Sequence, residues 1–338
     1  MNVKKKKGRI LTGDRPTGKL HLGHYAGSLA NRVQLQYDYD TFLIIADVQA
    51  LTTNFAEPEN LARDVRQVAL DYLAAGIDPK ETTIFVQSMV PEIAELTVFL
   101  SMLTTVNVLR HNPTIKSEAA QRGYKDLTYG FLGYPVSQTA DITFCKANLV
   151  PVGEDQVPHI EYARKLVRRF NSLYCPDRPV LVEPEALLSR VPRLVGLDGN
   201  AKMSKSLDNA IYLCDEAADI EERVRNAVTD PSRIRKTDPG HPDVCTIYAY
   251  HKAFNLELEP EIRGACEGGK IGCVECKKRL ATCINNLLEP MRERREYYLK
   301  RPNEVDDILI TGTRRARKEG RKTLAEVREA MSINYFKI

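Results

Sequence analysis

Short apolar runs that alternate with amphipathic helical segments fill the first two thirds of the 338-residue chain, and this alternation is the strongest constraint on its fold. The apolar runs are continuous, as in strands that are buried on both faces of a sheet. They lie at 9–11, 41–46, 83–86 and 149–152, with helical patterns at 22–36, at 58–75 and from about residue 92. Strands that alternate with helices predict an α/β fold with a Rossmann-like doubly wound parallel sheet, which binds ligands at the carboxyl ends of its strands.

The pattern changes after about residue 207, where helical segments follow one another at 217–228, 280–300, 303–309 and 314–331. We therefore predict two domains, a Rossmann-like α/β domain over 1–207 and a C-terminal α-helical domain over 208–338. Residues 277–338 hold 16 Lys and Arg against 9 Asp and Glu. Such an excess of positive charge is typical of a surface that faces a polyanion, or of a solvated helical face.

No segment approaches the roughly 20 consecutive apolar residues of a membrane-spanning helix. No apolar signal segment follows the basic N-terminal run Lys4–Lys7. We therefore expect a cytoplasmic protein with no membrane partner. In that compartment, eight cysteines favour metal binding or ordinary burial over structural disulfides.

The segment Pro16–His24 joins the first apolar run to the first helix. Gly18 and Gly23 allow the backbone to approach a ligand closely, and the helix that follows presents N–H groups to a phosphate. His21 and His24 are three residues apart, so both can face one side of the helix start and donate hydrogen bonds to charge on a phosphoryl oxygen. Either histidine alone would be read as a packing residue, but the pair predicts a phosphate site.

A second phosphate-binding pattern, Lys202–Ser206, follows the turn-rich segment 196–200 and has the sequence lysine-methionine-serine-lysine-serine. Two lysines three residues apart, beside glycines, can hold a polyphosphate as mobile point charges. A loop of this composition on its own would be an ordinary surface loop. The prediction that it binds phosphate therefore depends on the first pattern.

Together, the two patterns resemble the paired signatures of class I aminoacyl-tRNA synthetases. His21–His24 is similar to the family's His-Ile-Gly-His element, and Lys202–Ser206 matches its second signature without change. The resemblance implies an enzyme that forms an aminoacyl-adenylate and pyrophosphate from an amino acid and ATP, with the help of Mg²⁺. The aminoacyl group would then pass to the 3′ end of a tRNA.

The same resemblance implies how ATP is held. The residues implied in catalysis on the phosphates are His21, His24, Lys116, Lys202 and Lys205. The residues implied in ATP binding are Gly13, Asp14, Arg15, Pro16, Thr17, Gly23, His24, Gly153, Glu154, Asp155, Leu194, Lys202, Met203, Ser204, Lys205 and Ser206. Arg15 departs from the family pattern, in which a shorter polar residue is common.

The segment Tyr134–Asp141 is the most informative one for the choice of amino acid. An ionised Asp141 only accepts hydrogen bonds, so its partner must donate one, as an indole N–H or a phenol O–H does. Tyr134 and Gln138 are similar to the tyrosyl enzymes, which leaves a tyrosyl-tRNA synthetase-like enzyme as the alternative.

The segments 12–18, 140–143, 150–156, 196–206 and 323–331 resemble bacterial-type tryptophanyl-tRNA synthetases, and the similarity covers nearly the whole chain. Gln138 departs from the best-known of these enzymes, which have methionine at that place. The resemblance implies that tryptophan is bound by Leu11, Gln49, Tyr134, Gln138, Asp141, Val152 and Gln156.

This resemblance also implies the partners, which are L-tryptophan, tRNA(Trp) and a second copy of the chain in a homodimer. We expect RNA phosphate to contact the basic residues Arg314, Arg315, Arg317, Arg321 and Lys322. A non-catalytic synthetase paralogue that binds tRNA or an amino acid is a second alternative. Such a paralogue would lose one of the phosphate patterns, and both are present here.

Four cysteines form the pattern Cys245-x20-Cys266-x6-Cys273-x2-Cys276. Four thiolates suit either tetrahedral Zn²⁺ or an iron–sulfur cluster, and nearby histidines are rival ligands. A subset of tryptophanyl-tRNA synthetases carries a [4Fe–4S] cluster on a similarly spaced pattern, whose last two gaps match this chain. The resemblance therefore favours [4Fe–4S], with Zn²⁺ as the alternative.

Overall fold

The computed structural model describes residues 6–153, 156–188, 194–199, 203–204 and 207–336. Its five strands are β1 (Arg9–Asp14), β2 (Asp40–Ile45), β3 (Thr82–Val86), β4 (Leu149–Val152) and β5 (Glu185–Leu188). They form one parallel sheet in the order β3-β2-β1-β4-β5. This order confirms the predicted Rossmann-like doubly wound sheet, because the chain reverses its direction across the sheet between β1 and β4.

Helices connect these strands and continue beyond them. Those of the first half are α1 (Leu22–His24), α2 (Ala30–Leu35), α3 (Asp47–Asn54), α4 (Leu61–Ala75), α5 (Pro91–Ser101), α6 (Val106–Arg110), α7 (Pro113–Arg122), α8 (Tyr129–Thr143) and α9 (Val157–Tyr174). Those of the second half are α10 (Ala217–Asn226), α11 (Thr246–Phe254), α12 (Glu259–Glu267), α13 (Cys273–Leu299) and α14 (Pro302–Ala330). None of these helices is both long and apolar enough to cross a membrane.

Two apolar cores cover the two faces of the sheet. Leu43 and Ile45 of β2 belong to one core, which α4 and α13 complete, whereas Phe42 and Ile44 belong to the other, which α5, α8 and α9 complete. Successive strand residues point to opposite faces, so a strand that is covered on both sides must be apolar at every position. This packing explains the continuous apolar runs in the sequence.

Helix α14 is one continuous helix of 29 residues, so the prediction of two helices at 303–309 and 314–331 was wrong. The helix covers β3, an edge strand of the sheet. A Cβ atom on Gly312 would lie 1.9 Å from the carbonyl oxygen of Ile84 in that strand. The glycine therefore permits a close approach of helix and strand, and α14 protects an otherwise exposed edge.

Candidate functional site

The candidate site lies where β1 and β4 separate at their carboxyl ends, the usual position of ligands in a doubly wound sheet. The segment after β1 leads through residues 15–20 to α1, and the segment after β4 leads through Gly153 to α9. Gln156 is the N-cap residue of α9, and its backbone N–H donates to the carbonyl oxygen of Gly153 over 3.0 Å. The predicted ATP ligands Glu154 and Asp155 lie outside the described residues.

The two histidines of the first phosphate pattern do face each other. Their ring centroids are 3.8 Å apart. Nδ1 of His21 accepts the backbone N–H of Gly23 over 3.1 Å, and Nδ1 of His24 accepts that of His21 over 3.3 Å. In a neutral ring whose Nδ1 accepts, the proton is on Nε2. The backbone therefore fixes a tautomer in which each histidine has an Nε2–H that can donate to an anion.

The second phosphate pattern reaches the same turn through Met203, which is almost fully buried. Its Sδ accepts the backbone N–H of Gly23 over 3.3 Å, and its own N–H donates to the carbonyl oxygen of Leu194 over 3.4 Å. The two patterns, 180 residues apart in sequence, thus meet at the start of α1. The predicted phosphate ligands Lys202, Lys205 and Ser206 lie outside the described residues.

Asn209 connects Ser204 of the second phosphate pattern to Asp198, and the sequence did not predict this role. Its buried side chain accepts the backbone N–H of Ser204 over 2.7 Å and donates to Asp198 over 3.1 Å. It also lies so close to Gly196 that a Cβ atom there would be 2.0 Å from its amide nitrogen. Asn209 follows Ser206 by three residues, and only the folded structure reveals that its side chain turns back.

Asp14 is directed into the protein rather than towards the crevice. Its carboxylate accepts hydrogen bonds from Arg32 over 2.5 Å and from the Tyr72 hydroxyl over 2.8 Å. Burial alone would raise the pKa of Asp14, but Arg32, His24 and the hydrogen bonds lower it to about 2. Asp14 is thus a fixed anion that braces the end of β1.

The other predicted ATP ligands of this segment differ in exposure. Gly13 packs closely on β2, since a Cβ atom there would lie 2.0 Å from the carbonyl oxygen of Ile44. Arg15 and Thr17 are exposed and Pro16 is buried. Lys116 is exposed on α7, whose first turn is capped by Asn112.

Asp141, predicted to recognise the amino acid, lies buried on α8 and is held by the side-chain amides of two glutamines. Nε2 of Gln87 donates to its Oδ1 over 2.7 Å, and Nε2 of Gln49 donates to its Oδ2 over 3.4 Å. The backbone N–H of Gln49 donates in turn to Oε1 of Gln87 over 3.1 Å. Gln87 was not predicted as a site residue, although it directly follows β3 at the carboxyl edge of the sheet.

Burial raises the pKa of Asp141 to about 7; the two glutamine amides oppose this shift, and the nearby Asp47 adds to it. A carboxylate of this kind is a strong hydrogen-bond acceptor whose charge state changes near neutral pH. Asp47 is itself held by Ser88, whose backbone N–H and hydroxyl both donate to it, over 2.8 Å and 2.5 Å.

The remaining residues of the predicted amino-acid pocket differ in burial and in their partners. The Tyr134 hydroxyl is 3.0 Å from Nε2 of His159, and burial raises the pKa of Tyr134. Leu11 is buried at the centre of β1. Gln138, Val152 and Gln156 are half-buried.

The four patterned cysteines come together in the second half of the chain. All are free thiols, and they line one small cavity with Asp230, Arg233 and apolar side chains. Burial, followed by the neighbouring thiols, raises the pKa of Cys276 to about 12. Among the described residues, no group of three or more His, Cys, Asp or Glu side chains is arranged to hold a metal ion. The structure thus supports the convergence of the four cysteines but not a metal centre.

The basic side chains of α14 have acidic partners in the α/β part of the chain. Arg315 pairs with Asp40 over 2.7 Å. Arg321 and Arg317 lie 3.1 Å and 3.6 Å from Glu92. These contacts hold α14 against the α/β part of the chain, so part of the basic excess has a structural role.

Comparison with known proteins identifies a family and several relatives of similar length. A family model described as "tRNA synthetases class I (W and Y)" matches residues 3–289. A "Tryptophan--tRNA ligase" of Clostridium longisporum is 50% identical over 334 residues, which are 97% of this chain and 97% of the relative. A "Tryptophan--tRNA ligase" of Streptococcus pyogenes serotype M3 is 49% identical over 337 residues, which are 97% of this chain and 98% of the relative.

The fold is also similar to a solved structure. The tryptophanyl-tRNA synthetase of Campylobacter jejuni, complexed with ADP and tryptophan, superimposes with a TM-score of 0.83 and 30% sequence identity. The match covers 96% of this chain and 99% of that one. The likeness therefore extends over both the sheet and the helices that follow it.

Proposed function

This chain belongs to the family of class I tRNA synthetases for tryptophan and tyrosine, and on that premise we propose that it is a tryptophan–tRNA ligase. It is an enzyme that forms aminoacyl-tRNA. It activates L-tryptophan with ATP to give tryptophanyl-adenylate and pyrophosphate, and it then transfers the tryptophanyl group to tRNA(Trp). The named activity of full-length relatives argues against the tyrosine alternative and against a non-catalytic paralogue.

One observation of the site supports an amino acid whose side chain donates a hydrogen bond, namely the two glutamine amides that hold Asp141. The named relatives then favour tryptophan over tyrosine. Gln87 and Gln49 donate to the two oxygens of Asp141, so the carboxylate is oriented and partly stabilised as an anion before any ligand binds. In our proposal Asp141 accepts the indole N–H of tryptophan. A site built to hold that donor rejects analogues without it, because the buried acceptor would lose its partner.

Adenylate formation requires a carboxylate oxygen of tryptophan to attack the α-phosphorus of ATP while the bond to the leaving pyrophosphate breaks. Negative charge develops on the phosphoryl oxygens during this displacement. His21 and His24 each have an Nε2–H fixed by the backbone, so we propose that they stabilise this charge. Mg²⁺ would neutralise pyrophosphate together with Lys116, Lys202 and Lys205.

The other site residues keep the roles that the family resemblance implies. We propose that the ends of β1 and β4 and the Leu194–Ser206 segment bind ATP through Gly13, Asp14, Arg15, Pro16, Thr17, Gly23, Gly153, Glu154, Asp155, Leu194, Met203, Ser204 and Ser206. We propose that the tryptophan pocket is completed by Leu11, Gln49, Tyr134, Gln138, Val152 and Gln156. Asp14 would act by bracing β1, since its carboxylate is engaged by Arg32 and Tyr72.

Residues 1–207 would carry the activation reaction, and residues 208–338 would bind tRNA and contain the four-cysteine site. We place the protein in the cytoplasm, where ATP and tRNA are available.

The proposed homodimer has a candidate surface in α5, α6 and the turns that flank them. Apolar side chains more than half exposed there are Met89, Val98, Met102, Val106 and Val108, and sedimentation would reveal whether a second copy covers them.

We propose that the four cysteines bind a [4Fe–4S] cluster. The support is that the four thiols line one cavity, where burial raises the pKa of Cys245, Cys266 and Cys276, so that a nearby positive centre would favour their thiolates. When bound, such a cluster would tie the starts of α11 and α13 to the end of α12. Iron and sulfide analysis of anaerobically purified protein tests this proposal. Stoichiometric zinc without iron would overturn it in favour of the Zn²⁺ alternative.

The absence of tryptophan from the chain makes the substrate test direct. Indole fluorescence can only come from added tryptophan or its products, so its change on binding gives the dissociation constant. We expect saturable binding of tryptophan, tryptophan-dependent ATP–pyrophosphate exchange and charging of tRNA(Trp). Exchange that depends on tyrosine but not on tryptophan would refute the proposed function.

A further inference from the structure

The segment that carries the first phosphate pattern is held at both ends by two consecutive residues of α4. At one end, the Tyr72 hydroxyl donates to Asp14, the last residue of β1, over 2.8 Å. At the other end, the backbone N–H of Leu20 donates to Oδ2 of Asp71 over 2.7 Å. Asp71 and Tyr72 are both fully buried, so α4 acts as a rigid clamp on residues 15–20.

The Asp71 contact sets the position of His21. Leu20 directly precedes His21, and the carbonyl oxygen of Leu20 accepts the backbone N–H of Leu213 over 3.0 Å. Both polar groups of Leu20 are therefore engaged. A shift of the Asp71 carboxylate would move the peptide that leads into His21, whose ring centroid lies 3.8 Å from that of His24.

Arg295 of α13 fixes the Asp71 carboxylate from the other side. Its guanidinium forms a buried ion pair with Asp71 through Oδ1, and its Nη2 donates to Gln67 of α4 over 2.5 Å. Asp71 can thus accept from Leu20 with one oxygen and from Arg295 with the other. A charge pair so fully buried is held in one geometry, because neither partner can turn to water.

We propose that Asp71 and Arg295 are positioning residues for adenylate formation, acting through the backbone of Leu20 on His21 and His24; the proposal rests on the proposed function. Displacements of about 1 Å at a reacting centre can cost about a hundredfold in rate. Through this ion pair α13, which begins at Cys273, contacts the residue that holds the Leu20 N–H. Asp141 and the two glutamines that hold it belong to α8, α3 and the end of β3, so tryptophan binding should be spared.

The test compares two double variants in which the buried ion pair is absent. In D71N/R295M, the asparagine amide oxygen can still accept the Leu20 N–H; in D71L/R295M no acceptor is left. We expect D71N/R295M to keep at least a third of the wild-type kcat for tryptophan-dependent ATP–pyrophosphate exchange. We expect D71L/R295M to lose at least tenfold in kcat, with the dissociation constant of tryptophan within twofold of wild type in both.

Arg294→Met is the matched control, because Arg294 is the neighbour of Arg295 and also binds α4, through the carbonyl oxygen of Ala74 over 2.7 Å. It should leave kcat within twofold. Equal kcat values for the two double variants, or a loss in Arg294→Met as large as in D71L/R295M, would overturn the positioning role. Failure of the proposed function is distinguishable, because the unaltered chain would then show no tryptophan-dependent exchange.

Discussion

Gln87 donates a hydrogen bond from Nε2 to Oδ1 of Asp141 over 2.7 Å, while its own Oε1 accepts the backbone N–H of Gln49. The amide is therefore held at both ends and cannot turn away from the carboxylate. Burying a carboxylate is costly unless N–H groups surround it. The charge state of Asp141, and with it the proposed recognition of the indole N–H, depends on this relationship.

Asp141→Asn should weaken tryptophan binding. The amide oxygen is neutral, and hydrogen bonds to charged groups contribute about 1.5–3 kcal/mol, so we expect the KM for tryptophan to rise about 10-fold to 100-fold. The KM for ATP should stay within twofold. Steady-state ATP–pyrophosphate exchange measures both constants. Asp177→Asn, at an exposed acid outside the site, serves as the control, and an equal KM in the two variants would contradict the role of Asp141.

Tryptophan affinity should depend on pH with a midpoint near 7. Burial raises the pKa of Asp141 to about 7, and protonation below that value removes the anionic acceptor. We expect the dissociation constant to increase by up to tenfold per pH unit below 7 and to level off above it. Titration of indole fluorescence between pH 5.5 and 8.5 measures this profile, which Asp141→Asn should flatten. A profile unchanged by that substitution would assign the titration to another group.

The same pKa shift has the opposite consequence for the unliganded fold. A carboxyl whose folded pKa lies above its unfolded value favours folding when protonated, so its contribution is complete below about pH 4 and is lost as the pH rises through about 7. Urea denaturation should therefore show a steeper fall in stability from pH 5 to 7 for the wild type than for Asp141→Asn. Parallel stability curves would argue against a raised pKa.

Gln87→Leu and Gln49→Leu should both shift the pH profile of tryptophan binding to higher pH, by different amounts. Each removes an N–H that stabilises the Asp141 anion, and Gln87 is the closer donor, at 2.7 Å against 3.4 Å for Gln49. We therefore expect the larger upward shift of the midpoint in Gln87→Leu. The same fluorescence titration decides the order, and a larger effect of Gln49→Leu would contradict the geometry.

The sequence was sufficient for the type of sheet, for four of its five strands and for the meeting of the two phosphate patterns, but not for β5. Continuous apolar runs such as 41–46 and 83–86 are distinctive because parallel strands are covered on both faces. The end of the helix predicted over 58–75 was also predictable, since Gly76 adopts the left-handed conformation, with φ of 105°, that ends helices, whereas α4 itself begins only at Leu61. These signals lie within short segments, so they can be recognised in a single sequence.

The sequence did not reveal contacts between distant segments. Gln87 and Asp71 act through partners 54 and 224 residues away, and nothing in their local sequence distinguishes them from a strand-end amide or a helix acid. The charge excess of 277–338 was likewise ambiguous, because the acidic partners of Arg315 and Arg321 lie in the first third of the chain. Pairing of this kind is a property of the packed structure.

Gly312 is the most definite case in which packing overrides a local rule, and it gives a test of the fold. Glycine inside a helix normally costs about 0.5–1 kcal/mol relative to alanine. Gly133→Ala, where nothing lies within 4 Å of the added Cβ, should therefore raise the free energy of unfolding by roughly that amount. Gly312→Ala should instead lower it by about 2 kcal/mol or more, because the Cβ would overlap the Ile84 carbonyl oxygen and force α14 away from β3. Urea denaturation of both variants measures the difference, and a stabilised Gly312→Ala protein would show that α14 does not pack on the edge strand as described.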